Sequence, residues 1–267
     1  MALVAAPENS PSRSIGQDTL TRMDPERVEL KINIDSDGVR RAKKQLGLMD
    51  ADARRATIWF CDRPRRDADG LHFELAGRDV IVRLRHKHGD DSDSTIKYRR
   101  EPPLDLPEGW STSRGTDLKV EGDWTVSGRR VAASLTTTVP GSVIDEAGAA
   151  GPPLRNKLFS DDQRRFAAAL LAPSRCALAE LRPLGPIQAL RWEETPRRKL
   201  ANELGAEQWK ADGLEFLELS IRVKFANAEK WLRSFTQWAL DEGLDIAAVG
   251  TTKTQAVLEH FARRLSP

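Results

Sequence analysis

Cysteine is scarce in this chain of 267 residues, which contains only Cys61 and Cys176. Two cysteines cannot form a disulfide framework, so the sequence predicts a reduced, cytoplasmic protein. Long apolar runs are also missing. No stretch reaches the roughly 20 residues of a transmembrane helix, and the run Ala2–Ala6 is too short for a secretory signal. We therefore expect no membrane partner.

A charge excess of one sign is absent as well, because 42 Lys and Arg residues stand against 40 Asp and Glu residues and leave a net charge of +2. Attraction of the whole chain to nucleic acid is therefore weak, and nucleic acid is not expected as a partner. The chain has no Gly-x-x-x-x-Gly-Lys motif, which excludes a P-loop nucleotide site. Anion binding would have to come from local clusters of basic residues.

Apolar residues make up 39% of the chain, which is enough for a domain with a buried core. Residues 1–24 contain several prolines and serines and little periodic apolar content, so they predict a disordered N-terminal tail. Residues 25–267 are then the folded domain. Within it, a stretch rich in glycine, alanine and proline predicts a loose loop over about 140–157.

Several segments alternate apolar and polar residues, which is the pattern of a β-strand with two different faces. This pattern occurs at 28–34, 80–85 and 96–99, and further strand candidates lie at 118–123, 130–139, 189–194 and 214–224. Apolar residues at helical spacing follow residues 36, 160 and 227 and recur near the C-terminus. The helix after residue 160 begins with Ser160 and Gln163 at the spacing of a capping box. The sequence therefore predicts an α+β fold with a mainly antiparallel sheet.

The segment from Arg78 to Arg100 concentrates basic residues on two strands, joined by a turn that is predicted at 88–94. Those that share one strand face are Arg83, Arg85, Lys97 and Arg99. This face is either the solvated side of a half-exposed sheet or the interior of a closed barrel whose apolar faces lie under the helices. The polar strand faces contain few Ser, Thr or Gln residues, and the helices carry many large apolar residues, which favours the barrel.

Short motifs follow one another along the chain: Glu29-Leu30-Lys31, Trp59-Phe60-Cys61-Asp62, Val82-Arg83-Leu84-Arg85, Thr95-Ile96-Lys97 and Phe216-Leu217-Glu218-Leu219-Ser220. Their order, over about residues 25–260, resembles the CYTH superfamily of triphosphate tunnel proteins. This superfamily includes inorganic triphosphatases, thiamine triphosphatases and class IV adenylyl cyclases. The stretches 118–123 and 184–187 look closer to an uncharacterised bacterial branch of the superfamily than to its enzymes.

The resemblance implies an antiparallel β-tunnel with a polar interior and with helices packed outside. Its basic residues would bind a phosphate-rich anion (a triphosphate, a nucleotide or a short polyphosphate), and its carboxylates would hold Mg²⁺ or Mn²⁺. By matching position, the phosphate-binding residues would be Lys31, Arg83, Arg85, Lys97, Arg99, Arg191 and Lys253. The metal ligands would be Glu29, Glu218 and Glu207. The implied catalytic residues of a magnesium-dependent triphosphatase, which hydrolyses a phosphoric anhydride, are Glu29 and Lys31.

Two positions depart from the motifs of the superfamily. Arg27 stands where the first glutamate of Glu-x-Glu-x-Lys is expected, and Ser220 stands where the second glutamate of Glu-x-Glu is expected. Since an arginine repels a divalent cation and attracts phosphate, these changes weaken a two-metal site more than they weaken anion binding. Two functions therefore remain open: a metal-dependent triphosphate hydrolase, and a non-catalytic module that binds polyphosphate or nucleotide.

Overall fold

A computed structural model of the chain describes residues 21–23, 25–111, 117–154, 156–172, 176–195, 203–247 and 253–264. The strands of this part are β1 (Thr21–Met23), β2 (Arg27–Asp35), β3 (Arg54–Asp62), β4 (Pro64–Asp67), β5 (Gly70–Phe73), β6 (Val80–Lys87), β7 (Asp93–Arg100), β8 (Leu104–Leu106), β9 (Lys119–Thr125), β10 (Gly128–Thr138), β11 (Arg182–Trp192), β12 (Gly205–Ala211) and β13 (Leu214–Lys224). The α-helices are α1 (Ser36–Leu46), α2 (Gly141–Ala150), α3 (Asp161–Leu171), α4 (Ala228–Asp241) and α5 (Lys253–Ala262).

Nine of these strands form a closed barrel in the order β10-β7-β6-β3-β11-β12-β13-β2-β9, and β9 pairs back to β10. Every pairing in the barrel is antiparallel except that of β2 with β9, which is parallel. At this parallel pairing, a Cβ on Gly122 would lie 2.7 Å from a methyl group of Val28. Glycine is therefore needed where the two strands close the barrel. The predicted barrel is confirmed, with one parallel pairing in it.

The barrel has its charged side chains inside and its apolar side chains outside. On β6, Val80, Val82 and Leu84 are almost completely buried outside the barrel, in a cluster with residues of α2 and α3. On the opposite wall, the apolar residues of β2 and β13 form a second cluster with α1 and α4. The predicted arrangement, with a polar interior and with helices covering the apolar strand faces, is confirmed. The open-sheet interpretation is excluded.

Helix α3 is attached to the barrel through a buried glutamine. Ser160 and Gln163 form the predicted capping box, in which the Ser160 hydroxyl accepts from the Gln163 backbone N–H at 3.2 Å. The Gln163 amide also donates to the backbone oxygens of Ser94 and Leu135, at 3.1 and 3.0 Å. Gln163 is fully buried, so water cannot replace its amide as the donor to these two carbonyl oxygens. One side chain thus caps the helix and joins it to β7 and β10.

We expect Gln163→Leu to destabilise the protein by about 2–3 kcal/mol. The substitution keeps the size of the side chain but removes half of the capping box and leaves two buried carbonyl oxygens without that donor. Unfolding in urea, followed by circular dichroism, measures the loss. Gln255→Leu on α5, a half-buried position, is the control and should cost less than about 1 kcal/mol. Equal losses in both variants would contradict this role for Gln163.

The loose loop predicted at about 140–157 contains a helix, α2. Its residues Ile144 and Ala147 are buried, and Gly148 lies so close to Trp59 that a Cβ there would be 2.4 Å from the indole ring. The small residues that suggest a loop in the sequence include Gly148, which lets this helix pack closely against the Trp59 side chain of β3. Tertiary contact with Trp59 therefore overrides the weak helix propensity of the segment.

The predicted N-terminal tail lies outside the described residues up to residue 20. Within its last residues, Thr21–Met23 form β1, which pairs with Leu104–Leu106. Disorder thus remains a prediction for residues 1–20, while pairing with β8 gives residues 21–23 a place in a two-stranded sheet. Among the helices that the structure describes, none has the length and apolar character needed to cross a bilayer.

Candidate functional site

The barrel encloses a cavity of about 1140 Å³. The residues that the sequence predicted for the site all line this cavity: Glu29, Lys31, Arg83, Arg85, Lys97, Arg99, Arg191, Glu207, Glu218 and Lys253. Arg27 and Ser220, the two departures from the superfamily motifs, line it too. Alternation explains the location of those on barrel strands, because every second residue of such a strand points inward; Lys253 instead enters from α5. The individual roles of these residues remain predictions.

The cavity has a basic wall, which consists of Arg83 and Arg85 on β6 and Lys97 and Arg99 on β7. Behind it, the buried carboxylate of Asp93 accepts from Arg83 at 3.4 Å and from Arg85 at 2.6 Å. Lys87 contacts the same carboxylate at 3.1 Å. Burial alone would raise the pKa of Asp93, but Arg83 and Arg85 lower it below its usual value. One carboxylate thus serves three cations and leaves this part of the wall positive.

Asp123 on β9 holds the other half of the basic wall. Its carboxylate lies 3.1 Å from the ammonium group of Lys31, 3.2 Å from the ammonium group of Lys97 and 3.2 Å from the guanidinium group of Arg99. Burial would raise the pKa of Asp123, but these three cations together hold it well below its usual range. As at Asp93, one carboxylate is shared by three cations, so the basic wall carries more positive than negative charge.

Two cations of the basic wall are poorly compensated. Burial lowers the pKa of Arg83, and repulsion from Arg85 adds to this effect, in spite of the attraction of Asp93. Burial likewise lowers the pKa of Lys97. The Nε atom of Arg83 is buried and has no hydrogen-bond partner. A lowered pKa means that the charged form is disfavoured here, and an anion in the cavity would relieve that cost.

An acidic wall, formed by Glu29 on β2, Glu207 on β12 and Glu218 on β13, faces the basic wall. Going round the barrel, β3 and β11 separate β6 from β12 on one side, and β10 and β9 separate β7 from β2 on the other. The two walls therefore lie on opposite sides of the cavity. A ligand inside it is exposed to both.

Two lysines are bound to the acidic wall. The Lys31 ammonium lies 3.2 Å from Glu29 and 3.9 Å from Glu218, in addition to its contact with Asp123. The Lys253 ammonium lies 3.1 Å from Glu218 and 3.4 Å from Glu207. Burial would lower the pKa of Lys31, but the surrounding carboxylates raise it well above its usual value. Unlike Lys97, Lys31 is thus fully compensated by protein carboxylates.

The acidic wall does not fit a resident divalent metal ion. Mg²⁺ and Mn²⁺ favour oxygen ligands that are free to coordinate, but an ammonium group lies within ion-pair distance of each glutamate in the predicted metal site. Burial would raise the pKa of Glu207, yet Lys253 and neighbouring arginines lower it to about 2. The carboxylate is therefore ionised, and cations of the protein already balance its negative charge. Within the described ranges, no group of three or more His, Cys, Asp or Glu residues is arranged to hold a metal.

One end of the cavity is apolar. Phe60, Trp209 and Phe216 line it there, and the rings of Phe60 and Trp209 lie 5.6 Å apart. Helix α5 packs on this end, since its Val257 and Leu258 share a buried cluster with Phe60 and Trp209. The helix begins at Lys253, and its packing therefore places the Lys253 side chain inside the cavity.

Sequence reasoning missed the two buried carboxylates of the basic wall. Asp93 falls in the predicted turn at 88–94, but it is the first residue of β7 and its register partner is Arg85. Asp123 belongs to a predicted strand, and its position could have been found from alternation, because Lys119, Glu121, Asp123 and Thr125 all line the cavity. Asp93 was concealed by the short turn of acidic residues before β7, and Asp123 by a strand whose apolar face is interrupted by Gly122.

Among solved structures, the chain is similar to a proposed adenylate cyclase from Bacillus halodurans, with a TM-score of 0.51 and 14% identity over 91% of this chain and 98% of that one. A protein from Hippeastrum, proposed as an adenylyl cyclase and described as having a dominant triphosphatase activity, gives a TM-score of 0.48 and 13% identity over 88% of this chain and 96% of that one. No protein-family model and no curated protein matches the sequence. The first similarity concerns the fold alone: the chain has the CYTH-like tunnel fold that its motifs predict.

Proposed function

We propose that this protein binds a phosphate-rich anion, such as a triphosphate, a nucleotide or a short polyphosphate, against the basic wall of its cavity. The supporting observation is the charge imbalance of that wall. Asp93 and Asp123 are the carboxylates in ion-pair contact with its cations, and each of them serves three. The remaining positive charge lies on half-buried side chains inside the barrel, where an anionic ligand is attracted more strongly than it is in bulk water.

The residue types of the basic wall suit phosphate. Two guanidinium groups, those of Arg83 and Arg85, stand two residues apart on β6, and each presents a planar set of donors that can bind two phosphate oxygens at once. Lys97 lies across the hairpin on β7 and adds a point charge that can move with the ligand. A linear chain of phosphates matches this extended row of cations better than a single phosphate does.

Hydrolysis of a triphosphate, with Glu29 and Lys31 in catalytic roles and Mg²⁺ or Mn²⁺ as cofactor, is the second candidate. It is supported by the presence of the acidic wall, because phosphoryl transfer needs cations that neutralise and align the phosphates, and carboxylate oxygens are the usual protein ligands of Mg²⁺. The ion pairs of Glu29, Glu207 and Glu218 with lysine favour the non-catalytic alternative instead. Arg27 and Ser220, which line the cavity in place of two carboxylates, favour it as well.

We expect tripolyphosphate to bind in the presence of EDTA and to raise the melting temperature. Arg83→Gln should weaken binding roughly tenfold or more, because it removes a charge-assisted contact with the anion. Isothermal titration calorimetry measures both affinities. Arg165→Gln is the matched control, since Arg165 is a 74% exposed arginine on α3 and its loss should leave the affinity unchanged.

Three outcomes separate the candidates. Binding with EDTA and no release of phosphate supports the non-catalytic module. Release of phosphate from tripolyphosphate that needs Mg²⁺ or Mn²⁺ and is lost in Glu29→Ala would establish the hydrolase instead. No thermal shift and no heat of binding at millimolar tripolyphosphate would contradict the proposed function in either form.

A further inference from the structure

Two pairs of carboxylates stand directly opposite each other on neighbouring strands inside the barrel. Glu207 on β12 is the register partner of Glu218 on β13. Glu29 on β2 is the register partner of Asp123 on β9. Like charges at such positions repel each other, and burial strengthens the repulsion. Each pair therefore needs a cation between its members.

Lysine supplies that cation in both pairs. The Lys253 ammonium lies 3.4 Å from Glu207 and 3.1 Å from Glu218, and so bridges the first pair. The Lys31 ammonium lies 3.2 Å from Glu29 and 3.1 Å from Asp123, and so bridges the second. Lys31 also reaches Glu218 at 3.9 Å. Opposed carboxylates of this kind could otherwise bind a divalent cation through their oxygens.

Lys253 is held in this position by more than its ion pairs. Its ammonium lies 3.9 Å from the centre of the Trp209 ring, which adds a cation–π contact. Its side chain is only 12% exposed, and α5 is anchored on the apolar end of the cavity through Val257 and Leu258. Helix α5 thus carries the ammonium into the barrel as a fixed part of the fold.

We propose that Lys253 and Lys31 are internal cations that occupy the two carboxylate pairs in place of divalent metal ions. The cavity then has a neutralised acidic wall without any metal. This part rests on the proposed anion binding: the ligand is then a polyphosphate without a bound metal ion. A metal ion carried by the polyphosphate would find no free carboxylate pair on the acidic wall to coordinate it. The substitution of lysine for metal can be tested without any phosphate ligand.

The test is a titration of the full chain with Mn²⁺ in phosphate-free buffer, followed by calorimetry. Lys253→Gln removes the ammonium between Glu207 and Glu218, and we expect this variant to bind Mn²⁺ at least tenfold more tightly than the unaltered protein. Lys210→Gln is the matched control, because Lys210 lies on the same strand as Glu207 but is 53% exposed and pairs with Glu215. It removes the same charge and should leave Mn²⁺ affinity unchanged.

Equal Mn²⁺ affinities in Lys253→Gln and Lys210→Gln would overturn the proposal. Micromolar binding of Mn²⁺ by the unaltered protein that is lost in Glu207→Gln would overturn it as well, and this measurement does not depend on the folding of any lysine variant. Lys253→Met, which keeps the stem of the side chain over Trp209, should gain Mn²⁺ affinity as Lys253→Gln does. Failure of tripolyphosphate to bind would contradict the proposed function and leave the Mn²⁺ result as it stands.

Discussion

Asp123→Asn is expected to destabilise the protein by about 3–5 kcal/mol. The substitution keeps the shape of the side chain but removes the negative charge that Lys31, Lys97 and Arg99 share at 3.1–3.2 Å. Three cations would then remain in the barrel without this carboxylate, and a buried charge that has lost its partner costs far more than an exposed one. Urea unfolding monitored by tryptophan fluorescence gives the free energy of unfolding.

Glu121→Gln is the control for this prediction. Glu121 lies two residues before Asp123 on the same strand, and its ion-pair partner at 2.7 Å, Lys119, is 60% exposed. Such a pair contributes little, so its loss should cost less than about 1 kcal/mol. Tripolyphosphate should stabilise Asp123→Asn more than the unaltered protein, because the basic wall then carries one more uncompensated charge. Similar losses in the two variants would refute the central role of Asp123.

Acidification is expected to remove a large part of the stability between about pH 5 and pH 2. The pKa of Glu207 is lowered from 4.5 to about 2, and those of Asp123, Asp93 and Glu29 are lowered as well. A carboxylate whose pKa is lower in the folded than in the unfolded protein stabilises the fold above its unfolded pKa. That contribution is lost as the pH falls through the folded pKa. The contribution of Asp62 to this pH dependence has the opposite sign, because burial raises the pKa of its carboxyl group.

Glu207 alone should account for on the order of 3 kcal/mol of this loss. In Glu207→Gln, the free energy of unfolding should therefore vary less with pH between 5 and 2 than it does in the unaltered protein. Urea unfolding at a series of pH values measures both slopes. Glu215→Gln is the control, since its ion-pair partner Lys210 lies on the outer side of β12 and is exposed. A slope that is unchanged in Glu207→Gln would contradict the assigned ion pairs.

Strands with clear alternation could be predicted from the sequence, and segments of small residues could not. Val82 to Arg85 shows both faces of β6 because its apolar and charged residues are large and alternate. By contrast, β12 was missed, although it carries Glu207, because its outward face mixes alanine with glutamine and lysine. Helix α2 was missed for a related reason: it depends on contact with Trp59 more than on its own propensity.

The sequence was enough to predict which residues line the candidate site, but not which of them form ion pairs with each other. The alternation of residues along β2, β6, β7 and β13 is enough to place four of them on inward faces: Glu29, Arg83, Lys97 and Glu218. Which cation meets which carboxylate depends on strand register, and register depends on hairpin geometry and bulges that a motif does not reveal. One such irregularity lies in the pairing of β11 with β3, between Leu184 and Ile187.

The amino-acid sequence by itself determined that this sheet has one charged face and one apolar face, and that helices cover the apolar one. Alternation and helical spacing are local properties, so they can be read from neighbouring residues. Only the tertiary structure decided that Lys253, from the start of the last described helix, lies between Glu207 and Glu218. This contact joins residues 46 positions apart through the packing of α5 on the barrel, and packing of that range leaves no periodic signal in the chain.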